Sequence, residues 1–276
     1  MELARVRLDV SYDGTDFSGW AAQPGRRTVA GEITSALATL CGPDGATGLT
    51  VAGRTDAGVH ATGQVCHVDL ATPTWAALRG TLVRRLAALL PPDVRVRAAV
   101  EVPATFDARF SALFRRYEYR VSDAPYGVEP LWRQDTLAWP RPLDLGLLNE
   151  AAAGLVGEHD FAAFCRRKEH GTTIRAISDL AWRRAPDGRL VATVQADAFC
   201  QAMVRSLVGA MLAVGDGRRP PAWPASLLSR RERAGGVVVA PAHGLTLVAV
   251  GYPEDPLVYA ERAEATRRLR APSGSA

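Results

Sequence analysis

Residues 52–63 read Ala-Gly-Arg-Thr-Asp-Ala-Gly-Val-His-Ala-Thr-Gly, a dense run of polar and turn-forming residues with one carboxylate, Asp56, at its centre. A single carboxylate presented on a turn can act as a nucleophile or as a general base. The competing account is an aspartate that caps the turn by accepting neighbouring backbone N–H groups. The flanks, Gly48–Val51 and Val65–Leu70, are short apolar or alternating runs that read as strands, leaving Arg54–Gly63 as their connection. Loops carried on rigid strands are where function concentrates. His60 and His67 lie close by and read as partners for backbone or phosphate rather than for a metal.

The full string, Gly53-Arg54-Thr55-Asp56-Ala57-Gly58-Val59-His60-Ala61 followed by Gly63-Gln64-Val65 and His67, resembles the catalytic loop of the tRNA pseudouridine synthase A family, with Asp56 at the nucleophile position. The similarity recurs in register from about residue 6 to residue 252. Tyr12-Asp13-Gly14-Thr15, Phe17 and Gly19-Trp20 resemble the family's opening strand and loop, and Phe106-Asp107-Ala108-Arg109 with Arg116-Tyr117 its tyrosine segment. Gly157, His159-Asp160-Phe161, Thr173 and Arg175 resemble the next block; Met203-Val204-Arg205 and Ala240-Pro241-Ala242 complete it. The chain departs from the pattern at Ala21, at Ala87-Ala88, at Cys200-Gln201-Ala202 and at Ser206. Asp56, Tyr117 and Arg205 are retained.

The resemblance implies conversion of uridine to pseudouridine in the anticodon stem-loop of tRNA, at positions 38, 39 and 40, by a homodimer. The reaction breaks the bond from ribose C1′ to N1, turns the uracil and rejoins it through C5. It is redox-neutral, so neither cofactor nor metal is expected. Asp56 is the expected catalytic residue, attacking C1′ or the uracil ring, or removing a proton on a glycal route. Arg205, at the flank of a predicted helix stripe, would keep the carboxylate ionised. Tyr117 would hold a base taken out of its stack, and Arg54 would fill the place the base leaves. By alternation alone, Arg115, Tyr117 and Tyr119 share one strand face, so a core tyrosine is the rival account of Tyr117.

Two other readings compete. Asp9-Val10-Ser11-Tyr12-Asp13-Gly14-Thr15 is similar to the haloacid-dehalogenase signature, but there the two aspartates stand two residues apart and here four, so that Mg²⁺ site cannot be built the same way. A non-catalytic RNA-binding or tRNA-chaperone protein of the same fold would have no use for the carboxylate, tyrosine and arginine together.

Net charge is only +4, yet all but Lys168 of the 33 basic residues are arginine, many in runs such as Arg26-Arg27, Arg115-Arg116, Arg166-Arg167-Lys168 and Arg218-Arg219. Arginine grips phosphate bidentately and stacks on bases, which suits RNA; solvated faces are the alternative. Arg166, Arg167 and Lys168 are candidate RNA contacts. No run of eighteen apolar residues is present and the N-terminus builds no signal sequence, so a cytoplasmic protein is expected. Cys41, Cys66, Cys165 and Cys200 are far apart with no C-x-x-C pair, predicting reduced thiols and neither zinc nor disulfide.

The elements that must position these residues follow from periodicity. Val6, Leu8 and Val10 alternate in a strand, Val29–Leu40 is helical with Thr28 as N-cap and Gly42 past its end, and Thr74–Leu89 forms a second helix before a strand at Val94–Val102. This β-α-β-β-α-β order predicts an α+β fold, two ferredoxin-like-related domains with mixed, mainly antiparallel sheets and a central cleft. The second half repeats it less clearly: strands at Arg115–Val121 and Thr136–Trp139, a helix at Leu143–Val156, a hairpin of Asp179–Arg184 with Leu190–Ala196, a helix at Gln201–Val214 and a strand at Thr246–Val250. The predicted domains are 1–104 with the Asp loop, 105–252 with Tyr117 and Arg205, and a tail, 253–276, expected to be frayed over Ala260–Ala276.

Overall fold

The computed structural model describes residues 2–166 and 172–268. Two compact units are distinguished: the chain up to Leu113 together with Leu247–Arg268, and Phe114–Thr246.

In the first unit the alternating Val6, Leu8 and Val10 are fully buried on one face of β1 (Leu3–Tyr12). The chain continues through α1 (Val29–Cys41), β2 (Ala46–Val51), β3 (His60–Ala71), α2 (Thr72–Leu78), α3 (Leu82–Leu89) and β4 (Val94–Val102). Thr28 caps α1 by accepting the Gly31 N–H at 3.2 Å, and Gly42 ends it at φ 83°. The second helix expected at 74–89 is two short helices, because the chain turns at Gly80-Thr81, where the Thr81 N–H bonds Leu78 O. β1 lies antiparallel between β3 and β4, and β2 pairs with β3. The predicted β-α-β-β-α-β order is therefore present with its second helix broken.

The second unit contains β5 (Phe114–Ser122), β6 (Leu137–Ala138), α4 (Leu145–Ala153), β7 (Gly157–Asp160), β8 (Ile174–Arg184), β9 (Leu190–Ala196), α5 (Met203–Gly215) and the short α6 (Trp223–Ser226). β9 pairs antiparallel with β5 and with β8, which pairs with β7; β6 runs parallel to β5. Every residue of α5 except Arg205 and Ala213 is buried, so this helix forms the unit's core. Asn149 of α4 bonds both the N–H and the C=O of Trp182, and the Trp182 indole N–H reaches Met211 Sδ, tying α4 and α5 to β8.

The chain then returns to the first unit through β10 (Leu245–Gly251), hydrogen-bonded to β3, and α7 (Tyr259–Arg267). Residues past β4 stay with the first unit as well: Phe106, Ala108, Val65, Ala52 and Tyr259 form one buried cluster. Where a frayed tail is expected from the sequence, residues 259–267 are thus helical and anchored by an aromatic side chain. The expectation of four reduced cysteines also fails, since Cys165 and Cys200 are disulfide-bonded. They lie 35 residues apart with Cα atoms 5.7 Å from each other, a proximity that sequence spacing cannot show.

Candidate active site

The turn bearing Asp56 occupies residues 52–59, shorter than expected because β3 already begins at His60. Asp56 is half-buried, Arg54 exposed and Thr55 buried. The turn is held mostly by backbone. Trp20 N–H donates to Thr55 O at 3.1 Å, Gly58 N–H to Phe17 O, and Val59 N–H closes the turn onto Asp56 O at 3.2 Å. The loop 13–20 lies so close that a Cβ at Gly14 would stand 2.1 Å from Val59 O, and one at Gly19, which also has φ +93°, 2.8 Å from Thr55 O. These contacts give the Gly14 and Gly19 of the family-like opening segment a physical role: glycine is the residue that lets two backbones meet.

A side-chain network adds to this. The Tyr12 and Thr55 hydroxyls are 2.8 Å apart, and the Gln64 amide donates to Tyr12 Oη and to Gly53 O at 2.8 Å. Both histidines serve backbone, as the sequence suggests: Gly14 N–H donates to His60 Nδ1 and Ala108 N–H to His67 Nδ1, each at 3.0 Å. Burial, reinforced by the Arg5 charge, holds the His67 pKa below its ordinary value. Thr55, Tyr12 and Gln64 as a supporting network escape sequence reasoning, because their partners lie 43 and 52 residues away.

In the second unit, β5 alternates as expected, with Arg115, Tyr117 and Tyr119 buried and Arg116 exposed. Tyr117 is 8% exposed and meets Phe199 edge-on, ring centroids 5.3 Å apart. Tyr119 is wholly buried and donates its hydroxyl to Pro241 O at 2.8 Å. Its pKa is raised by burial, an effect the nearby Arg205 partly offsets. Arg205, partly exposed on the first turns of α5, donates Nε–H to Ala240 O at 2.7 Å, while Ala240 N–H bonds Arg205 O. That segment runs hard against the helix, since a Cβ at Gly209 would overlap Val238 O. Ala202, the residue before α5, has a φ of 64°, the one positive value among described non-glycine residues.

The arginine runs divide. Arg115 is buried and donates to Asp197 O, whereas Arg26, Arg27, Arg218 and Arg219 are exposed; of these, Arg27 is bidentate with Asp93 and lies over the Phe17 ring, Arg218 grips Asp216 and Arg219 lies over the Trp223 ring. Arg166 is exposed and its N–H bonds Gln201 O; Arg167 and Lys168 lie outside the described residues. Among the described residues, no group of His, Cys, Asp and Glu is placed to hold a metal ion, and no helix is long and apolar enough to cross a membrane.

Residues 151–253 match the family model described as tRNA pseudouridine synthase. The chain is 60% identical over 270 residues to the tRNA pseudouridine synthase A of Frankia casuarinae, covering 98% of this chain and 97% of the relative. It is 59% identical to that of Streptomyces griseus, covering 98% of this chain and 95% of the relative, and 50% identical to that of Mycobacterium leprae, covering 98% and 96%. This chain belongs to the tRNA pseudouridine synthase family. As a family member it is an isomerase that converts uridine to pseudouridine in tRNA, and its α+β architecture of mainly antiparallel sheets agrees with that assignment.

Proposed function

We propose that this pseudouridine synthase modifies uridines 38, 39 and 40 of the anticodon stem-loop, with Asp56 as its nucleophile or base. The observation that carries the reading is the Asp56 turn. It is the half-buried carboxylate of a loop whose backbone is fixed on both sides by loop 13–20 and by Gln64. Such a loop spends little freedom on positioning its side chain when substrate arrives, which is the advantage of a preorganised catalytic group. A structural cap would satisfy the turn equally well but would not need a glycine-lined clamp from a second loop.

Asp56 attacks at C1′ or at the uracil ring, or withdraws a proton to form a glycal; each route leaves the uracil to turn and rejoin through C5. Tyr117 supplies the ring face or edge that receives the extruded base, its orientation set by Phe199. Arg205, whose Nε–H is held by Ala240 O, supplies a cation to the substrate and its departing base. Arg54, exposed beside Asp56, fills the gap left by the base. Arg166, with Arg167 and Lys168, contacts phosphates and adds affinity without choosing the base. The enzyme works in the cytoplasm as a homodimer, with one tRNA touching both subunits.

The test is release of tritium from C5-labelled uridine in tRNA by Asp56→Asn and Asp56→Ala. Turnover is expected to vanish while tRNA affinity stays within a few fold, since the carboxylate makes bonds in the reaction and few in docking. Activity above about one percent of wild type would end the assignment.

A further inference from the structure

Outside the residues already assigned, the feature with chemistry of its own is the Cys165–Cys200 pair. Cys165 is buried at the end of the turn formed by residues 162–164, and Cys200 is half-buried in the segment that leads into α5. A second bond joins the same two segments, from Arg166 N–H to Gln201 O at 2.9 Å. Between Cys200 and the helix stands Ala202, in the left-handed region that a non-glycine residue occupies only when its surroundings hold it there. One residue before Cys200 is Phe199, against Tyr117, and five residues after it is Arg205. The cross-link therefore closes on the segment that places both substrate-facing candidates of this unit.

We propose that Cys165 and Cys200 form a reversible thiol–disulfide site whose oxidation state sets the enzyme's affinity for tRNA. In an intracellular enzyme a disulfide is more often a transient redox element than a structural staple. The other thiols are poor competitors: burial pushes the Cys66 thiol, and to a lesser degree that of Cys41, up from the ordinary range. The co-reactant is a small dithiol. Its thiolate attacks the half-buried Cys200 sulfur, the Cys165 sulfur leaves as a thiolate and takes a proton, and the second thiol of the reductant attacks the mixed disulfide to release Cys200. Two electrons pass to the protein, two protein thiols form, and the dithiol leaves as a cyclic disulfide. Oxidation is the reverse. With the bond made, the turn before α5 is pinned with Ala202 in its strained conformation; with the bond cut, Ala202 can relax, and Phe199 and the first turn of α5 lose a restraint.

The inference rests on the reading of Tyr117 and Arg205 as substrate-facing, so its test reads binding separately from turnover. Full-length enzyme is equilibrated across ratios of oxidised to reduced dithiothreitol. The disulfide fraction is counted by alkylation and mass measurement, and tRNA affinity is measured both on wild type and on Asp56→Asn, where no turnover intervenes. Reduction should weaken affinity roughly three- to tenfold, raise KM by a similar factor and change kcat less, in step with cleavage of the 165–200 bond. Cys165→Ser and Cys200→Ser should bind like the reduced enzyme at every ratio, and Cys41→Ser should titrate like wild type. Equal affinity in both states, or a pair that stays reduced at every ratio, overturns the proposal. Because the wild-type titration needs no variant, a serine variant that fails to fold leaves the test intact. Turnover surviving in Asp56→Asn would strike the nucleophile assignment and leave the redox result standing.

Discussion

Around Asp56 the restraints run from backbone to backbone, through Thr55 O, Val59 O and two glycines that admit no Cβ, with a buried hydroxyl–amide network behind them. At the entry to α5 they run through side chains: a disulfide, the Arg205 bond to Ala240 O, the Phe199 ring against Tyr117, and a left-handed alanine where glycine would sit without strain. The difference teaches where tolerance lies. A backbone clamp fails on the addition of a single methyl group, while a side-chain clamp loses one restraint at a time.

The sharpest way to break this contrast is Gly14→Ala. Its backbone conformation suits any residue, so the whole effect is steric: the new methyl must displace Val59 O and with it the turn. Turnover should fall by about tenfold or more, with stability lowered by about 1–3 kcal/mol as for overpacked sites. Kinetics beside a denaturant curve checks both, and a fully active variant would show that the clamp does not position Asp56.

Tyr117 sharpens the other side. Tyr117→Phe keeps the ring and should bind tRNA nearly normally, whereas Tyr117→Leu should fold yet lose turnover several-fold, base–aromatic stacking being worth about 1–3 kcal/mol. If Tyr117→Leu unfolds while the Phe variant stands, the 8% exposed tyrosine serves the core alone.

A smaller effect concerns pH. His67 is buried with its pKa below the ordinary 6.5, and its Nδ1 accepts from Ala108. Below pH 6.5 the unfolded chain takes up the proton first, so stability is full above that value and falls as pH drops toward the lower folded value. Stability measured at pH 5.5 should therefore be lower than at pH 7.5 by this group's contribution. His67→Gln, less stable throughout for want of its backbone bond, should show a flatter profile in parallel thermal melts.

The smallest change is expected at Ser206, on the side-chain-held helix. Its hydroxyl is fully buried and meets no hydrogen-bond partner among the described residues. Ser206→Ala removes an unsatisfied polar group and should leave stability unchanged or raise it by up to about 1 kcal/mol. A clear loss in the denaturation midpoint would reveal a partner for that hydroxyl.

Sequence by itself determined the local elements and named the candidate site residues. The period-two burial of β1, the Thr28 cap and Gly42 terminus of α1, the alternation of β5 and the apolar stripe of α5 are all local consequences of side-chain spacing, and each is present. The Asp56 string is contiguous, so it was legible as a motif before any fold was known. Tertiary structure alone decided what holds that motif. Gly14 against Val59, Thr55 against Tyr12, Gln64 against Gly53 and Cys165 against Cys200 join residues separated by 11 to 45 positions. The anchoring of α7 through Tyr259, more than 150 residues beyond Phe106, belongs to the same class. Periodicity reports which face of an element is apolar, but which distant backbone or side chain that face meets depends on how the elements pack, and no local pattern encodes it.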